Sequence, residues 1–167
     1  MADKQAVNKR QDAGQEDAGI ANQWVTFSLA EETYGIDVMR VQEVLPMSEI
    51  APVPGAPPYV LGIINLRGNV VTVIDTRMRF GLESRETDSA SRIVVIETDA
   101  QVTGILVDSV TEVVSVQADE IDAAPNVGNE EASRYIHGVV SRGEDLLILV
   151  DVNKLLTTEE WQEVASL

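Results

Sequence analysis

Carboxylates supply most of the groups in this chain that could do acid–base chemistry. There are 28 Asp and Glu, a single histidine, His137, and no cysteine among 167 residues. Two carboxylates can act as general acid and base when their surroundings push their pKa values apart. In so acidic a chain neighbouring carboxylates occur everywhere, so proximity in sequence selects no pair. The run Asp119-Glu120-Ile121-Asp122 has neither the spacing nor the glycine of a calcium loop. One histidine without cysteine cannot assemble a Cys/His nucleophile pair or a transition-metal cluster. No glycine-rich phosphate loop of either common type is present. The chain therefore reads as a non-enzyme, with no metal and no cofactor expected.

The net charge of −16 excludes another class of function. Residues 1–22 hold Lys4, Lys9 and Arg10 against Asp3, Asp12, Glu16 and Asp17, so nearly all of the charge lies beyond them. Such a surface repels phosphate backbones, which are held by Lys and Arg, and argues against nucleic acid and anionic membrane as partners. From Glu97 to Glu131 there are carboxylates but no Lys or Arg. That stretch is a solubilising face, or a patch that steers a basic partner. No apolar run approaches the ~20 residues that span a bilayer, and residues 1–23 lack the apolar core of a signal peptide. Without cysteine there is no disulfide framework, and a reducing cytoplasm is the expected address.

The elements that must position any site are written twice. The stretch from Tyr59 through Gly62, Arg67-Gly68 and Asp75 matches the stretch from Tyr135 through Gly138, Arg142-Gly143 and Asp151. Gly35-Ile-Asp-Val with Val41-Gln-Glu-Val44 matches Gly104-Ile-Leu-Val with Val110-Thr-Glu-Val113. In this repeat His137 stands opposite Leu61, which suggests a partly buried structural histidine. A duplicated small β-unit predicts two barrels facing each other across a pseudo-two-fold.

Residues 1–22 carry too few large apolar groups to offset the entropy of ordering and read as a tail. A half-buried strand is expected from Trp24 and a second from Tyr34 to Val38, with Val41 to Val44 as strand around a bulge. Four prolines make 47–58 a loop. A hairpin is expected from Ile63 to Ile74, around Arg67-Gly68-Asn69, and again from Ile136 to Val150. A helical turn is expected over 76–80, closed by Gly81, and the polar stretch 82–91 reads as the switch between the halves. Strands follow from Arg92, Val102 and Val110, with one helical turn at 118–121 and a loop over 123–133. Thr157-Thr-Glu-Glu160 is a capping box that opens a C-terminal helix, with Trp161 and Val164 on its inner side.

Over residues 23–167 this chain resembles the CheW family of chemotaxis coupling proteins. The resemblance rests on Tyr34-Gly-Ile-Asp-Val, Gly62-Ile-Ile-Asn-Leu-Arg-Gly, Ile74-Asp75 with Arg77 and Phe80-Gly81, Val102-Thr-Gly-Ile-Leu-Val-Asp108, and Leu147-Ile-Leu-Val-Asp151. It implies a mainly β fold of two SH3-like barrel subdomains around a shared apolar core, with a short C-terminal helix. It also implies a non-catalytic adaptor that joins chemoreceptor tip helices to the regulatory domain of a CheA-type histidine kinase. The adaptor would be recruited to receptor arrays without inserting into the membrane. Thr72, Thr76 and Asp122 depart from the common pattern of the family.

The resemblance also marks residues. Val41, Ile63, Val107 and Val110 would line a groove for a receptor helix, with Glu43 as a rim charge that fixes register. Gly62 and Gly104 would let that helix approach closely, and Arg67 would brace the groove or meet the receptor. Ile93, Asp122 and Val127 would face the kinase. Read from the residues alone, the apolar members of this set are core, Arg67 is a hairpin-tip arginine, and the glycines admit a neighbouring strand. A coupler for another array, one that controls surface motility or gene expression, fits the same pattern. A small-molecule binder or carboxylate enzyme using the inter-barrel cleft would need converging polar groups and shifted carboxylate pKa values.

Overall fold

The apolar runs become strands, and the strands fall into two five-stranded sheets. The computed structural model describes residues 21–123 and 134–167. In chain order the strands are β1 (Ala21–Leu29), β2 (Glu32–Asp37), β3 (Val41–Pro46), β4 (Val60–Leu66) and β5 (Asn69–Ile74). After the short helix α1 (Thr76–Arg79) come β6 (Arg92–Glu97), β7 (Val102–Val107), β8 (Ser109–Gln117), β9 (Ile136–Arg142) and β10 (Asp145–Val150). Helix α2 (Thr158–Ala165) ends the chain. The first barrel has the strand order β9-β10-β2-β1-β8 and the second β3-β6-β7-β5-β4.

The repeat is built in, but its halves are exchanged. Each hairpin lays its second strand parallel to a glycine-bearing strand: Leu149 pairs with Gly35, and Val73 pairs with Gly104. The strand that follows then leaves for the other sheet. β2 belongs to the first barrel and β3 to the second, whereas β7 belongs to the second and β8 to the first. The chain therefore changes barrel at the 3-10 turn Val38–Arg40 and again at Asp108. The stretch 82–91, expected as the switch, instead joins α1 to β6 within the second barrel. Its polarity marks a loop, and polarity carries no information about which sheet the next strand joins.

Several boundaries differ from expectation for similar reasons. Ala21 and Asn22, assigned to the tail, already pair with Gln117 and Val116, because a long β8 offers its backbone groups to any residue that can reach them. Trp24 to Phe27 are all buried, so β1 is covered on both faces rather than half-buried. Val38 lies in the 3-10 turn, capped by the Asp37 carboxylate, which accepts from Met39 N at 2.9 Å. The bulge in β3 falls between Val41 and Glu43. Residues 124–133 of the expected loop and 1–20 of the expected tail lie outside the described residues.

Both barrels close on themselves through a glycine. Ala51 bridges to Ile63, and Asp122 bridges to Val139. Gly62, at φ 154°, has the Ala51 carbonyl where a Cβ would stand. A Cβ on Gly138 would lie 2.9 Å from the Asp122 carbonyl. Each barrel also keeps its own core. Trp24, Val116, Val140 and Leu149 fill the first, and Ile64, Val73, Ile93 and Val95 fill the second. A larger cluster runs between them, where Phe27, Leu29 and Ile36 meet Val60, Ile74, Ile96 and Val107. Helix α2 covers one side of that shared core with Trp161 and Val164. Its capping box forms as expected: Glu160 N donates to Thr157 Oγ1 at 3.1 Å and Thr157 N to Glu160 Oε1 at 2.8 Å.

Candidate functional site

Arg67 stands first in the two-residue turn between β4 and β5, with Gly68 second, and both have positive φ. The Gly68 N–H donates to Asn65 Oδ1 at 2.9 Å, which locks the turn. Its guanidinium reaches across to β3 and binds Glu43 with both arms, Nη1 to Oε2 at 3.2 Å and Nη2 to Oε1. The hydrogen bond from Arg67 holds the Glu43 carboxyl below the usual carboxylate range. The pair ties hairpin to β3 while leaving the arginine side chain 70% exposed. The same two elements carry the exposed aliphatics Val44 and Val70. The sequence reading did not mark either as a site residue, although each is an exposed aliphatic where a polar side chain is expected.

Of the other residues marked from sequence, the structure separates the accessible from the buried. Val41 and Val110 are half-buried at equivalent points just after the two crossovers, packed against the shared core. Ile63 is half-buried beside the Ala51 bridge. Val107 is 1% exposed and so belongs to the shared core rather than to a groove wall. Gly104 is buried, with Ile93 Cγ2 3.1 Å from where its Cβ would be, so its space serves interior packing. The close approach at Gly62 is taken by the chain's own Ala51.

Ile93 is 0% exposed and cannot face a kinase, because β6 is covered on both sides from Ile93 to Ile96. Asp122 is exposed beside its bridge to Val139. Val127 lies outside the described residues. His137 is exposed rather than partly buried, its ring 5.9 Å from that of Trp24.

The repeat equivalence also shifts by one residue at the hairpin tips. Leu66 pairs with Asn69, and Arg142 pairs with Asp145. Arg67 therefore corresponds to Gly143, and Arg142 to Leu66. Matching the Arg-Gly dipeptides by identity had hidden this register.

Two ion-paired clusters went unseen because their members are far apart in sequence. Asp108, at the second crossover, receives Arg77 Nε at 3.0 Å and Nη2 at 2.6 Å, and the Ala30 N–H at 2.9 Å. These bonds, Arg77's first, keep its carboxyl below the ordinary range against the opposing effect of burial. Arg79 binds Glu160 through two contacts of 2.9 Å and so fastens α1 to α2. Tyr59 donates to Glu163 at 3.0 Å, and burial raises its hydroxyl pKa. The described carboxylates with shifted pKa values (Glu43, Asp88, Asp108 and Glu160) all shift downward, each beside an arginine. A general acid needs the opposite shift. No described group of three or more His, Asp or Glu could hold a metal ion. What the arrangement offers is a shaped surface: an accessible guanidinium on a turn tied to β3, on elements that also expose Val44 and Val70.

Comparisons with known proteins agree with this geometry. The chain is 36% identical to the chemotaxis protein CheW of Treponema pallidum over 87% of its own length and 88% of that protein's. It is also 36% identical to the CheW of Klebsiella aerogenes, over 84% and 85% respectively. A solved structure, the scaffolding protein CheW from Thermoanaerobacter tengcongensis, superposes with a TM-score of 0.77 at 33% identity, covering 84% of this chain and 91% of that one. The CheW-like domain model matches residues 23–160, and the chain belongs to that family.

Proposed function

We propose that this protein is a coupling adaptor of a chemosensory array, joining chemoreceptor signalling tips to a CheA-type histidine kinase so that receptors control kinase autophosphorylation. The observation that carries the reading is the Arg67–Glu43 pair. It holds a cation accessible on a turn that is otherwise made for glycine, within a family whose relatives are named as chemotaxis and scaffolding proteins. A guanidinium fixed in this way can accept a carboxylate or backbone carbonyls of a receptor helix with little loss of side-chain entropy. Val44 and Val70 supply exposed apolar surface on the elements that carry the pair, and Val41 and Val110 lie half-buried just after the two crossovers.

Asp122, exposed beside its bridge to Val139, would be part of the surface that meets the kinase's regulatory domain. The acidic first barrel would favour a basic patch there. No helix of the described residues is long and apolar enough to cross a membrane, so attachment to an array would come through receptors and kinase rather than by insertion.

The test is reconstitution. Purified protein is mixed with chemoreceptor-bearing membranes and a CheA-type kinase, and autophosphorylation is followed with and without it. Stimulation that needs all three components is the expected result. If folded protein gives no stimulation, the assignment to this type of array is wrong.

A further inference from the structure

The two barrels end in equivalent clefts, one narrowed by a segment of the chain and one that no described segment enters. On the second barrel Leu61, Asp75, Arg77, Ser91 and Leu106 line a cleft of about 140 Å³. By the registers of the two ladders, their equivalents on the first barrel are His137, Asp151, Asn153, Asn22 and Asp37, and these line a cleft of about 280 Å³. The smaller cleft is reduced by the chain itself. The segment before β6 lies in it, contributing Ser84, Arg85, Glu86 and Thr87 to its walls. Arg85 there reaches Asp108 at 3.3 Å and Asp88 at 3.1 Å. Among the described residues nothing equivalent enters the larger cleft.

The chemistry of the larger cleft differs in a directed way. Leucine at 61 and 106 is replaced by His137 and Asp37. Asp37 and Asp151 each use one oxygen to accept a backbone N–H, at 2.9 Å and 3.0 Å, and the second oxygen of each has no partner among the described residues. The cation in the lining, Arg40, is already committed to Asp99 at 3.1 Å. Trp24, also in the lining, is 5% exposed, and its indole N–H has no partner among the described residues. Exposure to water explains a polar lining. It does not explain a buried, unpaired N–H, because such a group is ordinarily satisfied.

We propose that the larger cleft is a docking site for an extended peptide segment of a partner protein that carries an arginine, seated as Ser84 to Thr87 are seated in the smaller cleft. The guanidinium would lie against the free oxygens of Asp37 and Asp151, and the peptide backbone would bring carbonyl acceptors to the wall formed by Trp24 and His137. The net charge of −16 favours such a basic segment from a distance. The site lies apart from Arg67 and Glu43 and does not depend on the identity of the array.

A synthetic peptide copying residues 82–91, with Glu83 and Glu86 replaced by glutamine and Asp88 by asparagine so that Arg85 is its one charged side chain, is the probe, titrated into the full-length isotope-labelled protein and followed by NMR. Trp24 and Trp161 give the two indole signals, and Trp161 is already bonded to Asn153 O at 3.1 Å, so the two are distinguishable; His137 gives the lone imidazole set. The expected result is a saturable shift of the Trp24 and His137 signals, with affinity reduced at least tenfold when the peptide's arginine is replaced by alanine. Asp37→Asn in the protein should weaken binding similarly while leaving the Trp161 signal in place. No movement at millimolar peptide would overturn the proposal, as would equal binding by the alanine peptide or movement confined to Trp161.

Discussion

Arg67 and Gly143 hold the same place in the two hairpins, each first in a two-residue turn, at φ 51° and 65°. A residue with a Cβ in that region costs about 1–2 kcal/mol. The second copy avoids that cost with glycine, and the first keeps an arginine. Strain retained at one of two otherwise equivalent turns is a mark of function. Arg67→Gly should therefore unfold about 2–4 °C above Arg67→Ala, a difference of about 1 kcal/mol. Both variants should lose receptor-dependent kinase stimulation. Thermal unfolding beside the kinase assay separates the two effects, and an alanine variant as stable as the glycine one would show that the tip relaxes freely.

Asp108→Asn tests the second crossover. The substitution keeps an acceptor for the Ala30 N–H but leaves Arg77 without its carboxylate, at a cost of about 2–3 kcal/mol at neutral pH. Because the folded carboxyl titrates below its unfolded value of about 3.9, its stabilising effect is complete above that value and disappears as pH falls through the lowered one. Denaturant midpoints measured from pH 7 down to pH 2 should fall more steeply at the acid end for the native chain than for the variant.

Gly62→Ala and Gly138→Ala should both destabilise, the first by about 3 kcal/mol and the second by about 2, since each new Cβ meets the bridging strand that closes its barrel. Amide exchange should speed up at Ala51 and Ile63 in the first variant and at Asp122 and Val139 in the second. If Gly62→Ala melted normally yet failed to couple, the glycine would belong to the receptor surface rather than to the barrel.

Thr103 is 0% exposed in β7, and its hydroxyl has no partner among the described residues. Thr103→Val keeps the shape and removes the unpaired oxygen, so it should stabilise by about 1 kcal/mol. A lower melting temperature would reveal a partner for that hydroxyl.

The parts of the fold that local physics decides were legible in the sequence: the hairpins from their glycines, the loop from its four prolines, and α2 from its capping box. The joining of β3 to β5 with β6 and β7, and of β8 to β10 with β1 and β2, was not legible, since a strand's alternation of side chains does not say which sheet will accept it. The same limit applies to the site. Arg67 and Glu43 were both named, but their bond joins positions 24 apart in sequence and follows only once β3 lies beside the hairpin. Ile93 and Val107 read as candidate surface residues from the resemblance, and their burial comes from sheet order. His137 was placed by analogy with Leu61, and the analogy failed because residues 84–87 narrow the cleft at Leu61 while no described segment covers His137.

The crossing of β3 and β8 makes the two barrels each other's hostages. A cut in 82–91 would separate fragments that each hold two strands of one barrel and three of the other, so neither half should fold alone, whereas the two together should recombine into the native form. An unfolding event that begins in one barrel withdraws an edge from its neighbour, which predicts a single transition for the whole body. It also means that a disturbance at either end of the molecule reaches the opposite end along a continuous backbone, without needing a hinge.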